Sequence, residues 1–402
     1  MDNKDIYIHK DSVVMAFLKM GLAIVYLGSL NPWFMWSIGA LYPIPAAICV
    51  FMALLISHSM KNPIFNNDFW IAPLIAFIII STYMNVVRDI NVNGYIAILF
   101  NAIVYLAVFR LNPSKLTELT AFLAKLMAWI LVFSIPFYIL YLIGFSLPGR
   151  DAVFGDNLYS YTNYYFFMVD DRSMFEIVPR FHSVFLEPGH LGTATVLLLM
   201  TQCGKWNKWY NIVLLIATLM TFSLAAYVFL VVLVFLHLWI KRKNLIGKLI
   251  AIILLVSSIV VGSFYYNNGD NLINNLILMR LEMVDGEMVG NNRVSEDFDR
   301  EFDNFIDSDD IFLGRTMDRS SAGNSGYKVF FYEYGLIGMI LCLAFYIISM
   351  VKYVDLRIWI SVMILATLAF IVRGYPLWYN YFIPFYCFAL SDEIFIKKNK
   401  TF

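Results

Sequence analysis

The chain has 402 residues, 60% of them hydrophobic, a mean hydropathy of +0.70, and 29 basic residues balancing 29 acidic ones. A soluble domain is about 45–50% apolar, so this composition predicts an all-α polytopic membrane protein, and zero net charge removes the case for nucleic-acid binding. The four cysteines, Cys49, Cys203, Cys342 and Cys387, fall within apolar runs or at their ends and imply no disulfide framework.

A bilayer core is crossed by about 20 apolar residues in a helix. Runs of this kind predict twelve transmembrane helices, near 12–30, 33–57, 69–87, 93–109, 121–147, 184–202, 209–222, 224–240, 248–266, 329–350, 358–372 and 376–392, in a single integral domain over 1–402. The run 209–240 is too long for one helix and divides at Thr221-Phe222-Ser223. The first run is long enough to be a retained span, not a cleaved leader. Positive residues orient the chain. Lys4 and Lys10, Lys61, Arg110 and Lys115, Lys205 and Lys208, Lys241 to Lys248, Lys352 and Arg357, and Lys397 to Lys400 all fall on one side, which makes both termini cytoplasmic.

On this layout ten of the 13 arginines lie at the outer face, and 15 of the 16 lysines lie on or near the other. Lysine is a hydrated point charge that anchors a loop, whereas the arginine fork pairs with two phosphate oxygens at once. Arginines on the side that orientation rules keep poor in positive charge therefore read as ligands for an anion.

Two outer loops are long, 148–183 and 267–328, and loops of that length are commonly functional. The first is rich in aromatics (Tyr159, Tyr161, Tyr164, Tyr165, Phe166, Phe167) and is expected to fold back on the bundle. In the second, Phe298, Phe302 and Phe305 recur at helical spacing among charges, which predicts an amphipathic helix lying on the outer surface. No internal repeat supports an inverted-repeat transporter.

Two polar clusters enter spans. Arg180-Phe181-His182-Ser183-Val184-Phe185-Leu186-Glu187-Pro188-Gly189-His190 places Glu187 and His190 about one helical turn apart, with a proline-glycine helix start that opens backbone N–H groups to an anion. Ionisable groups within a span are costly and mark function; the bland alternative is that they pair to hold two helices. The second cluster runs from Gly314 to Glu333, with Arg315, Arg319 and the small residues Gly323, Ser325 and Gly326, which would let a substrate approach the backbone. Arg373 stands at the outer face between the last two spans. Arg180, Arg315, Arg319 and Arg373 around one outer cavity would repel one another, and a diphosphate would relieve that repulsion. Arg280, Arg293 and Arg300 read as solvated partners of nearby acids. With His182 and His190 the only outer histidines and no third ligand, no metal site is expected.

The pattern Arg180-x-His182-Ser183-x-Phe185-x-Glu187-Pro188-Gly189-His190, then a large outer loop, then Tyr327 and Tyr332-Glu333-Tyr334-Gly335-Leu336-Ile337-Gly338, resembles the bacterial O-antigen and exopolysaccharide polymerases of the Wzy type. Leu219-Met220-Thr221-Phe222-Ser223 resembles a further short motif of that superfamily. The resemblance runs from the fifth span to the end of the chain. It implies a helical bundle in the bacterial cytoplasmic membrane that joins undecaprenyl-diphosphate-linked oligosaccharides at the outer face, without cofactor or metal. It admits a chain-length regulator and a flippase as protein partners. A sugar hydroxyl of one lipid-linked repeat would attack the anomeric carbon of another chain, with inversion and loss of the lipid diphosphate.

On that resemblance Arg180 and Arg315 would hold the diphosphate and Glu187 or His190 would handle the proton. His182, Arg319, Tyr327, Glu333 and Arg373 would bind substrate. Some such polymerases carry an Arg-x10-Gly spacing, which Arg315 to Gly326 fits and Arg180 to Gly192 misses by one residue. The neighbouring O-antigen ligases carry a histidine where this chain has Gly323-Asn324-Ser325-Gly326. A ligase and, further off, a transporter are the competing readings.

Overall fold

Apolar runs bounded by proline or small polar residues become helices along the whole chain. The computed structural model describes residues 3–58, 64–65, 70–88, 91–155, 159–171, 178–202, 204–241, 245–279, 283–284, 287–288, 296–316, 326–350, 355–373 and 376–389. A helix lies at each of the twelve apolar runs: α1 (Asn3–Gly28), α2 (Pro43–His58), α3 (Ile71–Val87), α4 (Val92–Arg110), α5 (Pro113–Leu142), α6 (Pro188–Thr201), α7 (Trp209–Met220), α8 (Leu224–Lys241), α9 (Leu245–Tyr265), and, past the short helix α10 (Glu296–Ile306), α11 (Gly326–Met350), α12 (Leu356–Val372) and α13 (Tyr379–Ala389). Pro43, Pro113 and Pro188 open their helices, where the missing N–H costs nothing. Asn91 and Asp355 cap α4 and α12 by accepting the N–H of Asn93 (2.9 Å) and Arg357 (3.0 Å).

Among the described residues, Asp11–Gly28, Gly39–His58, Val92–Arg110, Pro113–Leu142 and Gly326–Met350 are long and apolar enough to cross a membrane, and Ile71–Val87, Trp209–Met220, Leu224–Ile240 and Leu356–Val372 are shorter apolar helices. Many of their large apolar side chains face outward, as Leu99 (61% exposed) and Leu254 (61%) do. So much apolar surface on the outside of helices suits lipid, not water. The protein is membrane-embedded.

The chain packs as two compact units, one of Met1–Leu123 with Ser295–Phe402 and one of Ala124–Val294. In the first, α1 lies on α2, α2 on α4, and α3 on both α4 and α11, with α12 and α13 beside α11. Its core is aromatic. Phe77 stacks on Tyr105 at 4.1 Å between ring centres, Tyr105 on Tyr379 at 5.2 Å, and Phe345 meets Phe382 at 4.8 Å. In the second unit α6 packs on α7 and α8, and α8 on α9.

The all-α expectation takes one correction. The first long loop folds as a three-stranded antiparallel meander, β1 (Arg150–Phe154), β2 (Tyr159–Asn163) and β3 (Met168–Asp170), with Tyr161 opposite both Ala152 and Asp170. Tyr161 and Asn163 point into the protein while Ser160 faces out, the period of two expected of a strand with one covered face. A minimal hairpin pairs β4 (Met283–Val284) with β5 (Glu287–Met288).

The amphipathic helix of the second loop is α10, but its apolar face is covered by protein. Phe298, Phe302 and Phe305 are buried, with Phe302 and Phe305 against Phe331 and with Phe298 and Phe305 against Tyr332 of α11. A helix resting on a bilayer would instead sink those rings into lipid.

Candidate functional site

In the second unit, the segment 178–187 between β3 and α6 carries Arg180, His182 and Glu187, and its course is fixed from several sides. Tyr138 on α5 donates its hydroxyl to the Pro179 carbonyl, and Tyr161 on β2 donates to the Leu186 carbonyl at 2.8 Å. The Phe181 N–H bonds to the Met220 carbonyl at the end of α7 (3.2 Å), and the Met168 N–H of β3 bonds to the Ser183 carbonyl (2.9 Å). Aromatics of the first loop therefore do pack, and Tyr161 of the loop and Tyr138 of α5 serve as struts.

Glu187 is the residue before α6, in extended conformation, so it and His190 are joined across the first turn instead of lying on one helical face. Its carbonyl accepts the His190 N–H at 3.1 Å and the Leu191 N–H at 3.2 Å. Its carboxylate does not cap the helix. Instead Oε1 accepts the Tyr159 hydroxyl at 3.1 Å. Tyr159 was not among the residues singled out by sequence, where only its membership of an aromatic-rich loop could be read. His190 and His182 are both buried.

His182 turns Nδ1 to the Phe185 carbonyl at 2.5 Å. Burial lowers its pKa from the usual 6.5, against opposing pulls from the Phe185 carbonyl, Asp170 and Glu187, while Arg180 adds to the depression. These charges are close enough to act on the ring, so Arg180, His182 and Glu187 form one electrostatic group. A histidine kept neutral in the fold takes up protons more readily when unfolded, so this site loses stability as pH falls from 6.5 through its depressed value.

The first unit holds the second cluster. Helix α11 breaks at Gly335, where φ is +60° and ψ −167°. The break frees the Tyr332 carbonyl for the Arg315 N–H (2.8 Å) and the Ile337 N–H for the Phe312 carbonyl (3.1 Å), which lays 312–315 along the helix. Tyr83 of α3 closes the junction, its hydroxyl 2.9 Å from both the Leu313 and Tyr334 carbonyls. Arg315 points Nε at Asp310 Oδ2, 2.5 Å away, and that carboxylate raises its already high pKa. To hold an anion it must share its fork with Asp310.

Glu333 is buried and ion-paired with Arg88, whose guanidinium also covers the Tyr334 ring at 5.1 Å. Arg88, at the end of α3, is another residue that sequence reasoning missed. Its only signal was a basic group closing an apolar run. Removing it leaves a buried carboxylate without its cation, which costs about 1–3 kcal/mol or more. Arg88→Ala is expected to lower the thermal midpoint in detergent, and adding Glu333→Gln to restore most of it; a double variant no more stable than Arg88→Ala would show that the pair is not what matters.

Tyr327 lies exposed in the first turn of α11. Gly326 is not open to a substrate. A Cβ there would meet the Arg373 nitrogen at 2.5 Å and the Phe370 carbonyl at 2.7 Å, so the close approach it permits is by the end of α12. Arg373 itself is nearly buried, and it borders an apolar cavity of about 380 Å³ between α11, α12 and α13, with Leu336, Tyr346, Phe370, Tyr381 and Phe385 on its walls. Arg319, Gly323 and Ser325 lie outside the described residues. Arg180 thus belongs to one unit and Arg315 and Arg373 to the other. Among the described residues no three His, Cys, Asp or Glu side chains gather as a metal ion would require.

No protein-family model, curated protein or solved structure matches the chain.

Proposed function

We propose that this protein is a polysaccharide polymerase of the membrane, a metal-independent glycosyltransferase that joins oligosaccharide repeats carried on undecaprenyl diphosphate. The reading rests on one observation above the rest: a loop in a membrane-embedded helical chain that bears Arg180, His182 and Glu187 and is held rigid by its main chain. A group that must stabilise charge as a bond breaks works best when its position is fixed beforehand.

Departure of the lipid diphosphate puts negative charge on the bridging oxygen. Arg180 of the second unit is the fixed cation assigned to it, Arg315 and Arg373 are the candidates that the first unit offers, and each 1.4 kcal/mol of such stabilisation is about tenfold in rate. The cavity beside Arg373 has the chemistry of a binding place for a polyprenyl chain, apolar along its length with one cation at its wall. Twelve spans with both termini in the cytoplasm, in the bacterial inner membrane, are part of the proposal. They are supported by the helix at each apolar run and by the segregation of lysine from arginine.

The test is the lipid-linked glycan profile of cells with and without the protein. Loss of long chains with accumulation of single repeats is the expected result. Long chains still made but stranded on the lipid would overturn it in favour of a ligase, and an unchanged profile would remove glycan assembly altogether.

A further inference from the structure

Nearly every buried polar atom in a folded protein has a hydrogen-bond partner, because leaving one without costs about 1–3 kcal/mol. Three exceptions fall together in the second unit. Among the described residues Asn163 Nδ2, His182 Nε2 and Ser183 Oγ make no hydrogen bond, although all three side chains are at most 1% exposed. They are neighbours through the main chain. Asn163 stands opposite Met168 across the β2–β3 pair, the Met168 N–H bonds to the Ser183 carbonyl, and His182 is the next residue along. Ser183 also has φ +56°, a left-handed backbone that costs a residue with a Cβ about 1–2 kcal/mol. Strain and unsatisfied polar atoms in one place are what a site built for an occupant shows.

The ring of His182 gives that site a chemical direction. The Phe185 carbonyl can only accept, so Nδ1 carries the proton and donates, and in the neutral imidazole the lone pair is then on Nε2. Tyr161 lies beside the ring at 5.7 Å between centres, and Asp170, Arg180 and Glu187 are the charged groups acting on it. The same stretch of the fold carries an amide that can donate to an oxygen, on Asn163, and a hydroxyl that can do either, on Ser183.

We propose that His182 Nε2 is the base that takes the proton from the attacking sugar hydroxyl, with Asn163 and Ser183 holding the sugar beside it. The proposal rests on the polymerase reading and moves the proton role from Glu187 and His190 to His182. The hydroxyl O–H bond breaks toward Nε2 as its oxygen bonds to the anomeric carbon. The bond from that carbon to the diphosphate oxygen breaks, its electron pair leaving with the lipid diphosphate. The imidazolium then returns its proton to water. Arg180 disfavours the protonated ring before the attack and hastens its discharge afterwards.

His182→Asn keeps an amide donor where Nδ1 meets the Phe185 carbonyl and deletes Nε2. In purified protein given lipid-linked repeats, kcat is expected to fall about 10²- to 10⁴-fold with KM little changed. The acid limb of the wild-type pH profile should vanish in the variant. Ser183→Ala removes a hydroxyl bonded to nothing among the described residues, so it leaves the fold intact, and it should lower kcat/KM about tenfold, the worth of one hydrogen bond. A His182→Asn protein with wild-type kcat and an intact acid limb overturns the proposal while the polymerase stands. Should His182→Asn fail to fold, an unchanged kcat/KM in Ser183→Ala overturns it. Wild-type protein that makes no polymer from the repeats fails the polymerase reading itself.

Discussion

Replacing Gly335 by alanine is expected to lower the thermal midpoint of the detergent-solubilised protein by at least about 5 °C and to reduce the amount of folded protein in the membrane. At φ +60° and ψ −167° the backbone is in a region open essentially to glycine alone, which costs any other residue about 1–3 kcal/mol. Space is lacking as well. A Cβ would come within 2.5 Å of the Phe312 carbonyl oxygen and 2.6 Å of the Gly314 nitrogen. Both neighbours are main chain held by hydrogen bonds, so neither can yield cheaply, and forced overpacking adds about 1–3 kcal/mol. The same break in α11 seats 312–315, so the surviving protein should also have Arg315 displaced. Gly262→Ala is the control. Its site in α9 is open, and alanine there should leave stability unchanged or raise it. Equal midpoints for Gly335→Ala and the parent would mean that the break is not a fixed part of the fold.

The second large effect is on activity. Arg180→Ala should cut polymerisation about 10²- to 10³-fold, the usual consequence of removing one fixed charge-stabilising donor, while the protein stays in the membrane at its normal level. The two outcomes separate because the segment is held by its backbone. Pro179 is bound through its carbonyl and Phe181 through its N–H, and neither bond involves the Arg180 side chain. Arg180→Lys keeps the charge but loses the two-pronged fit to phosphate, so it should recover little. Normal polymer from an expressed Arg180→Ala protein would remove Arg180 from the chemistry.

Much of the helical layout was legible in the sequence because hydrophobic runs are long and their ends are chemically marked. The run at 93–109 is α4, Val92–Arg110, and the polar Thr221-Phe222-Ser223 does separate α7 from α8. Phe298, Phe302 and Phe305 announced α10 by spacing alone, but spacing cannot say whether lipid or protein covers the face. The meander at 150–170 was hidden by its aromatics, whose number overshadowed the simple alternation of Tyr159-Ser160-Tyr161-Thr162-Asn163. The pairing of Arg88 with Glu333, 245 residues away, leaves no local trace. Nor does any pattern of residue types show that Asn163, His182 and Ser183 carry unpartnered atoms, since that depends on what the fold withholds from them.

Tyr138 and Tyr161 reach main-chain carbonyls, of Pro179 and Leu186, and not side chains. A peptide carbonyl is the same whatever residue bears it. The path of 178–187 is therefore largely insulated from the identity of the groups it displays, and loss of Tyr138 or Tyr161 loosens it more than a change in those groups. Such a segment can exchange the side chains it displays, one substitution at a time, without first having to relearn how to fold.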